Sequence, residues 1–455
     1  MSAEVILTVI EGKLTGKQYI FDSRAACLIG RSDECNIMLP DDEEHRTISR
    51  YHCLLDINPP NIRVRDFGSR NGTYVNGVKI GQREPYQTAE EGRKLSFPEY
   101  DLQSGDEIKL SNTTFEVSIE IDPNEIIIPN FFPATIHFNQ DPTQPPYFVE
   151  LVNRWIGLAE SGNQSLEAIK GYKLIQLLGK GGFGEVYLAQ HNQSGTYVAL
   201  KVMLPGAAVN QSAVDRFMRE IEYTKALRHP NVIQLLDSGF FEGIFFFTME
   251  YCNGGTVSDL IKQQGGRLPV NIAVPIILQV LDGLEYTHNI ELPDIKLADG
   301  RFGQGKGLVH RDLKPGNLLL SNIDGKFIVK IGDYGLAKAF DFAGLSGQTL
   351  SGTQAGTPVF IPRQQLLNFK YTLPDVDIWA AAACLYNMLT GYYPRNFMGG
   401  DQFLAVLQND PVPIRQRDSS IPQRLAEVID LALVEKPEIY FKSAVEFKKA
   451  LLSAI

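Results

Sequence analysis

The stretch at 309–335, VHRDLKPGNLLLSNIDGKFIVKIGDYG, constrains this chain more than any other. It places Asp312, Lys314, Asn317 and Asp333 across a loop, a short hairpin and a second loop. Phosphoryl transfer needs such a set: an acid to orient a hydroxyl, oxygens for a divalent metal, and a cation near the moving phosphate. A chain carrying it must fold a nucleotide pocket around it.

The residues ahead of it read as that pocket. LLGKGGFGEVYLAQ contains Gly179-x-Gly181-x-x-Gly184-x-Val186. Such a glycine pattern alone also fits a dinucleotide fold, where it opens a helix. Here the β-prone Val186-Tyr187-Leu188 follows at once, which favours a glycine hairpin. VALK comes next, with Lys201 at the end of a β-prone run. A helix is expected from Ser212, with Asp215 at a capping-box position. Phe217, Ile221, Thr224 and Leu227 trace its buried side. Glu220 lies beside that stripe and faces the strand lysine; Glu222 is the alternative partner, about 200° further round.

Read in order, the glycine loop, VALK, the helix glutamate, HRDLKPGN and DYG closely resemble a bacterial Hanks-type (eukaryotic-like) serine/threonine protein kinase. The resemblance implies an α+β two-lobed fold and use of ATP with Mg²⁺, or Mn²⁺ in its place. It implies Asp312 as the base that orients the substrate hydroxyl. Asn317 and Asp333 hold the metal, Lys314 meets the γ-phosphate, and Lys201, paired with Glu220, meets the α/β-phosphates. Leu178, Gly179, Gly181, Gly184, Val186, Ala199, Met249, Glu250, Cys252 and Leu319 belong to the nucleotide pocket. Asp377 matches the family's buried aspartate that braces the catalytic loop. Thr349, Ser351 and Thr353, with Ser346, are the candidate phosphosites of the activation segment. Thr357 reads as a structural hydroxyl.

The chain departs from the family in four places. Residues 289–306 form an insertion expected as an exposed loop. Tyr334 replaces the usual phenylalanine, so its hydroxyl needs a partner. Gly316 replaces an acidic residue that some relatives use to attract basic substrates. Gln364 stands where the family has a glutamate, and Tyr440 aligns with that glutamate's arginine partner. The expectation is that both were replaced together, which leaves no orphan charge.

Residues 1–120 read differently. Short β-prone runs at Val5–Ile10, Lys17–Phe21, His52–Ile57, Ile62–Arg65, Thr73–Val75, Glu107–Leu110 and Thr114–Ile119 are separated by turn formers, and no helical period is evident. Many short strands suggest an all-β sandwich. Gly30-Arg31, Ser49-Arg50-Tyr51-His52 and Asn71-Gly72-Thr73 lie at expected strand ends. Arginine offers a fork matched to phosphate, serine a hydroxyl, and asparagine an amide for a peptide backbone. In this order they resemble a forkhead-associated (FHA) domain, a phosphothreonine-binding sandwich. The resemblance implies that Arg31 and Ser49 hold the phosphate, helped by Arg50 and Arg70. Asn71 binds the ligand backbone, and His52 and Gly30 are architectural. The loop Asp41–Thr47 adds acidic charge near that pocket, and 83–100 lengthens a later connection.

The expected organisation is therefore multidomain: an FHA-like sandwich at 1–120, a proline-rich linker at 121–168, and a kinase domain at 169–455. In the linker, Phe148, Leu151, Val152, Trp155 and Ile156 fall at helical spacing. That helix either packs on one neighbouring domain or sets the position of both. The net charge of −10 gives no basic footprint for nucleic acid. The five scattered cysteines form no CxxC pair and read as free thiols. The opening MSAEVILTVIEGK lacks a basic signal-like region, and no run approaches a membrane span. These features give the expectation of a cytoplasmic enzyme. Its expected partners are protein substrates and phosphothreonine peptides on itself, a sister molecule or another protein. The alternative is a pseudokinase: a nucleotide-binding scaffold that acts mainly by phosphopeptide recognition.

Overall fold

The computed structural model describes residues 3–22, 25–33, 35–93, 97–121, 127–128, 147–181, 184–203, 209–210, 214, 217–218, 221–222, 224–296, 302–323, 326–334, 358–367, 372–397 and 402–455. The N-terminal region is a sandwich of two sheets. One has the strand order Gln18–Phe21, Ala3–Glu11, Thr113–Ile121, Glu107–Leu110, Thr73–Val75, Val78–Gly81. The other runs Ile37–Met38, Ala25–Gly30, Cys53–Asn58, Asn61–Asp66, Tyr100–Leu102. Alternate residues such as Val5, Leu7, Cys27, Ile29, Leu55, Val64, Phe115 and Val117 meet in its core, as a two-layer sandwich requires.

Each strand expected from the sequence lies in one of these sheets. Ala25–Gly30 was not expected. Its residues are buried on both faces, so it carries no apolar–polar alternation to read. A short helix, Ala89–Arg93, also interrupts the β pattern inside the lengthened connection.

The kinase region opens with a five-stranded antiparallel sheet in the order Tyr172–Gly181, Gly184–His191, Tyr197–Met203, Ile244–Glu250, Leu235–Phe241. The first two strands pair down to Gly181 opposite Gly184, so the glycine motif closes a hairpin and does not open a helix. The lower lobe is helical. Helix Val270–Asn289 packs on helix Asp375–Thr390, which is buried along almost its whole length.

The helix Tyr147–Glu160 packs on one neighbour, the upper lobe. Trp155 is fully buried there. It lies against Phe241 and Phe246, each 5.8 Å away between ring centroids. Its indole N–H donates to Glu242 at 3.0 Å. The linker also contributes strand Ile127–Ile128, paired with Val209–Asn210.

The insertion differs from the expected loop. It is a β-hairpin, Glu291–Lys296 against Phe302–Lys306. The chain leaves the end of one helix and must return beside it, where the Gly307 N–H reaches the Ile290 carbonyl at 2.9 Å. Two arms that start and finish together run antiparallel and satisfy their backbone groups by pairing.

Trp155→Ala removes a large buried ring and leaves a cavity, so the kinase region should lose about 3–5 kcal/mol in urea denaturation. A loss under about 1 kcal/mol would show that the helix does not support the upper lobe.

Candidate functional site

The catalytic loop is fixed from below by one buried carboxylate. Asp377 Oδ2 accepts the backbone N–H of His310 at 2.7 Å and lies 2.8 Å from His288 Nε2. Its Oδ1 accepts the Arg311 N–H at 2.8 Å. Arg311 sits at φ +68°, in the left-handed region that a non-glycine residue rarely holds unaided. Burial pushes the Asp377 pKa up. The hydrogen bond from the adjacent His288 and the Arg311 N–H outweigh it and leave the carboxyl below its ordinary value.

On that base stand the residues singled out from the sequence. Asp312 Oδ2 lies 2.7 Å from Lys314 Nζ and 3.0 Å from Asn317 Nδ2. The same Asn317 amide donates to the Asp312 carbonyl at 2.8 Å, which presents its Oδ1 away from the loop backbone. The Gly332 N–H donates to the Asn317 carbonyl at 2.8 Å, tying this loop to the one that carries Asp333. His310 accepts from the Asp312 N–H on Nδ1, so its Nε2–H donates to the Gly332 carbonyl at 2.9 Å.

Lys201 pairs with Asp333 Oδ1 at 2.7 Å, and Asp333 sits at φ +54°. Burial acts to raise the Asp333 pKa, but the charge and hydrogen bond of Lys201 prevail, so it is held low. Glu220, Ser212 and Asp215 lie outside the described residues, as do Ser346, Thr349, Ser351, Thr353 and Thr357. Glu222 is engaged elsewhere: it lies 3.3 Å from Lys225. Phe217, Ile221, Thr224 and Leu227 are buried as their spacing predicted.

Most of the residues expected to line a nucleotide pocket lie on the strands of the upper lobe. Gly184 requires glycine: it has φ +151°, and a Cβ there would lie 1.8 Å from the Val202 carbonyl oxygen. Val186 pairs with Lys201 across the sheet and Ala199 with Met249. Leu178 is 40% exposed, whereas Met249 and Cys252 are buried, with Leu319 packed beside them. Burial pushes the Cys252 thiol up to about 12, so it is not a reactive thiolate. The Glu250 carboxylate bonds the Gln234 N–H of its own lobe and Lys330 of the hairpin that follows the catalytic loop.

Tyr334 finds the partners its hydroxyl needs. It is buried, meets Thr287 Oγ1, and donates to the Leu308 carbonyl at 3.3 Å. Its ring packs edge-on against His310 at 4.8 Å.

The anchor after the activation segment corrects the expectation from sequence. Gln364 does not face Tyr440. Its amide reaches the Glu435 carbonyl, while Tyr440 is 53% exposed and packs edge-on against Phe441. The position is charged, with its sense reversed. Glu435 is buried between Arg395, which it contacts directly, and Arg363, whose N–H it accepts at 2.8 Å. Arg395 also donates to the Asn409 and Ile361 carbonyls and lies 4.5 Å over the Trp379 ring. Burial lowers the Arg395 pKa, opposed by Glu435. Sequence reasoning looked for the family's own pair at its own positions. The signal it passed over was three charges, Arg363, Arg395 and Glu435, in otherwise apolar surroundings.

In the sandwich, Arg31, Ser49, Arg50 and Arg70 line one cavity of about 310 Å³. Arg46 and Arg83 line it too, and neither was expected. Arg83 comes from the lengthened connection and is set by a 3.1 Å bond to the Gly68 carbonyl. Ser49 Oγ accepts the Arg70 N–H at 2.9 Å, so its own O–H is left as a donor. Asp41, from the acidic loop, contacts Arg31. Asn71 donates to the Thr47 carbonyl at 2.5 Å and is not among the residues lining the cavity. His52 is fully buried between the Ser49 N–H and the Gly72 carbonyl, each 3.1 Å away. Gly30 leaves no room for a Cβ, which would lie 2.1 Å from the Arg50 carbonyl oxygen. Both roles are structural.

Two outcomes follow for this framework. Glu435→Gln leaves the buried Arg395 without its counter-charge and Arg363 with only the exposed Asp410, so stability in urea should fall by about 3–5 kcal/mol; an unchanged midpoint would remove the anchor's role. Asp377 has a depressed pKa, so its contribution is complete above the ordinary aspartate range of about 4 and is lost as pH falls through its lower folded value. The stability gap between wild type and Asp377→Asn should therefore be widest near neutrality and narrow in acid. A gap that is constant with pH would contradict this.

Two family models match the chain. The protein kinase domain family matches residues 172–438, and the FHA domain family matches 27–111. The probable serine/threonine-protein kinase CPE1738 of Clostridium perfringens is 30% identical over 279 residues, 60% of this chain and 37% of that protein. The serine/threonine-protein kinase PknD of Mycobacterium tuberculosis is 31% identical over 275 residues, 60% of this chain and 38% of that protein. This chain thus spans less than half the length of either relative. The crystal structure of Rad53 1-466 in complex with AMP-PNP aligns over 99% of this chain and 100% of that one, at 21% identity and a TM-score of 0.47. With its kinase family match covering more than half of the sequence, the chain belongs to the protein kinase family and carries an FHA domain ahead of its kinase domain.

Proposed function

We propose that this chain is a serine/threonine protein kinase that moves the ATP γ-phosphate to protein hydroxyls, and that its N-terminal module binds phosphothreonine. The observation that carries the reading is the Asp312 carboxylate. It is held by Lys314 and Asn317 on a loop braced by Asp377, and that loop is bonded to the one bearing Asp333.

The donor set fits a nucleotide and a divalent metal. Asn317 and Asp333 offer amide and carboxylate oxygens, the hard ligands that Mg²⁺ prefers, and the glycine hairpin admits close approach to its backbone. Bound ATP supplies the phosphoryl group, and the metal neutralises its developing charge. Asp312 orients the acceptor hydroxyl and takes its proton. Lys314 lies beside it, where it steadies the γ-phosphate, and Lys201 holds the α/β-phosphates. Met249, Glu250 and Cys252 form the hinge edge of the adenine site, with Leu178, Val186, Ala199 and Leu319 on its walls. Glu220 is the proposed partner of Lys201. We take Mg²⁺ as the resident metal.

In the FHA module, Arg31, Ser49, Arg50 and Arg70 face one anion. Arg46 and Arg83 add positive charge, and Asn71 reads the neighbouring peptide backbone. The proposed partners are protein substrates and phosphothreonine peptides, and the proposed compartment is the cytoplasm. The five cysteines are free and buried, and among the described residues no helix is long and apolar enough to cross a membrane.

Asp312→Asn should abolish Mg-ATP-dependent autophosphorylation while leaving nucleotide binding in place. Persistent phosphorylation in that variant would remove Asp312 from its role. Arg31→Ala should abolish phosphothreonine-peptide binding measured by calorimetry, with ATP hydrolysis retained. Asp41→Asn frees Arg31 from an exposed ion pair, so peptide affinity should rise about two- to fivefold. Weaker binding would mean that Asp41 serves the ligand.

A further inference from the structure

Part of the second sheet of the sandwich, along Ala25–Gly30 and at Leu54, is apolar on both faces. Along Ala25–Gly30 and Cys53–Asn58, the inward residues Cys27, Ile29, Cys53, Leu55 and Ile57 fill the sandwich core. The outward residues Ala26, Leu28 and Leu54 are also buried, at 5%, 2% and 7% exposure, together with Phe67 at 5%. The outer face of an antiparallel sheet commonly meets water and carries polar side chains. An apolar outer face needs a cover.

The cover is the kinase lower lobe. Leu366, Val406 and Leu407 pack on this face, with Tyr51 and Phe397 partly buried against the same cluster. Leu366 belongs to the helix Arg363–Leu367, five residues that cannot hold a helix by themselves. Its other contacts lead to the catalytic machinery. Gln365 donates to the Arg311 carbonyl, one residue before Asp312. The Arg363 Nε–H donates to the Leu407 carbonyl at 2.9 Å, and its backbone N–H to Glu435.

We propose that the outer face of the FHA sheet is a docking surface for this chain's own kinase lower lobe, and that it braces helix 363–367 against the catalytic loop. The FHA module then acts as a positioning part of the catalytic unit as well as a reader of phosphate. All residues lining the phosphate cavity belong to the sandwich, so the cavity stays open while the face is docked. Tyr51 both lines that cavity and packs in the docking cluster, so one side chain is common to peptide binding and docking. This inference rests on packing and goes beyond the assigned activity.

The test is hydrogen–deuterium exchange on the full chain, comparing wild type with Leu28→Glu and Leu54→Glu. Both residues point away from the sandwich core. Exchange in 363–367 and 402–408 should become about tenfold faster, while strands Ala3–Glu11 and Thr113–Ile121 stay protected. Leu407→Glu, on the kinase side, should give the same release without touching the sandwich, which guards against a misfolded FHA variant. Small-angle scattering should show a larger radius of gyration for all three. Unchanged exchange and radius in folded variants would overturn the proposal. So would wild-type protection that disappears on dilution, which would assign the face to a second copy. Neither readout depends on phosphotransfer, so a failed kinase assignment would leave this test intact.

Discussion

Asp377 is the point on which the catalytic framework depends. A carboxylate buried in the helix Asp375–Thr390 would be costly alone. Here it accepts two backbone N–H groups of the catalytic loop and faces the His288 ring. Those bonds hold Arg311 in a left-handed conformation that would otherwise cost free energy. The next residue is Asp312, so the direction of the candidate base is set by a residue 65 positions later in the sequence (377 − 312). The same loop then fixes the second one. His310 bonds the Gly332 carbonyl and packs on Tyr334, and Asn317 accepts the Gly332 N–H. A rigid helix thus positions both carboxylates through backbone bonds, which leaves their side chains to meet Lys314, Asn317 and Lys201.

The end of the activation segment is held by another buried charge cluster, whose logic differs. A glutamate and a single arginine would balance; here one glutamate meets two arginines. The surplus positive charge is met by carbonyls from Asn409, Ile361 and Leu407 and by the Trp379 ring. A second carboxylate, the exposed Asp410, lies 3.7 Å from Arg363 and meets part of that charge, and the carbonyl dipoles and the ring quadrupole stabilise the rest. The arrangement draws the 358–363 stretch, the 395–410 segment and Glu435 to one place. It ties the anchor helix to the same surface that the FHA sheet covers.

What the sequence disclosed follows from how local each signal is. The HRDLKPGN and DYG residues were legible because they sit in one short stretch whose spacing the chemistry itself requires. The glycine hairpin was legible because β-branched residues follow it directly. Trp155 was legible as a buried anchor but not as belonging to the upper lobe, since its partners Phe241, Glu242 and Phe246 lie far along the chain. Ala25–Gly30 was missed because burial on both faces erases the period of two. The reversed anchor was missed because Arg363, Arg395 and Glu435 meet only in three dimensions. Arg83 was hidden in a connection read as a mere lengthening, although it lines the same cavity as Arg31.

The two modules share one electrostatic device. In the kinase site, Lys201 pairs with Asp333; in the sandwich, Arg31 pairs with Asp41. In each module, one cation assigned to phosphate therefore already has a carboxylate beside it. An isolated cation in a half-buried pocket would suffer desolvation with nothing to offset it, and a neighbouring carboxylate removes that penalty. The two pairs differ in permanence. Asp333 sits on a loop tied by Asn317 and His310, so it stays in place and can share its oxygens with a metal. Asp41 is 73% exposed, and its ion pair is worth little in water. A phosphate carrying close to two charges and three acceptor oxygens outcompetes it readily. The same residue types thus build a firmly held carboxylate in one domain and an exposed, displaceable one in the other, and the difference lies in how firmly the backbone beneath each carboxylate is held.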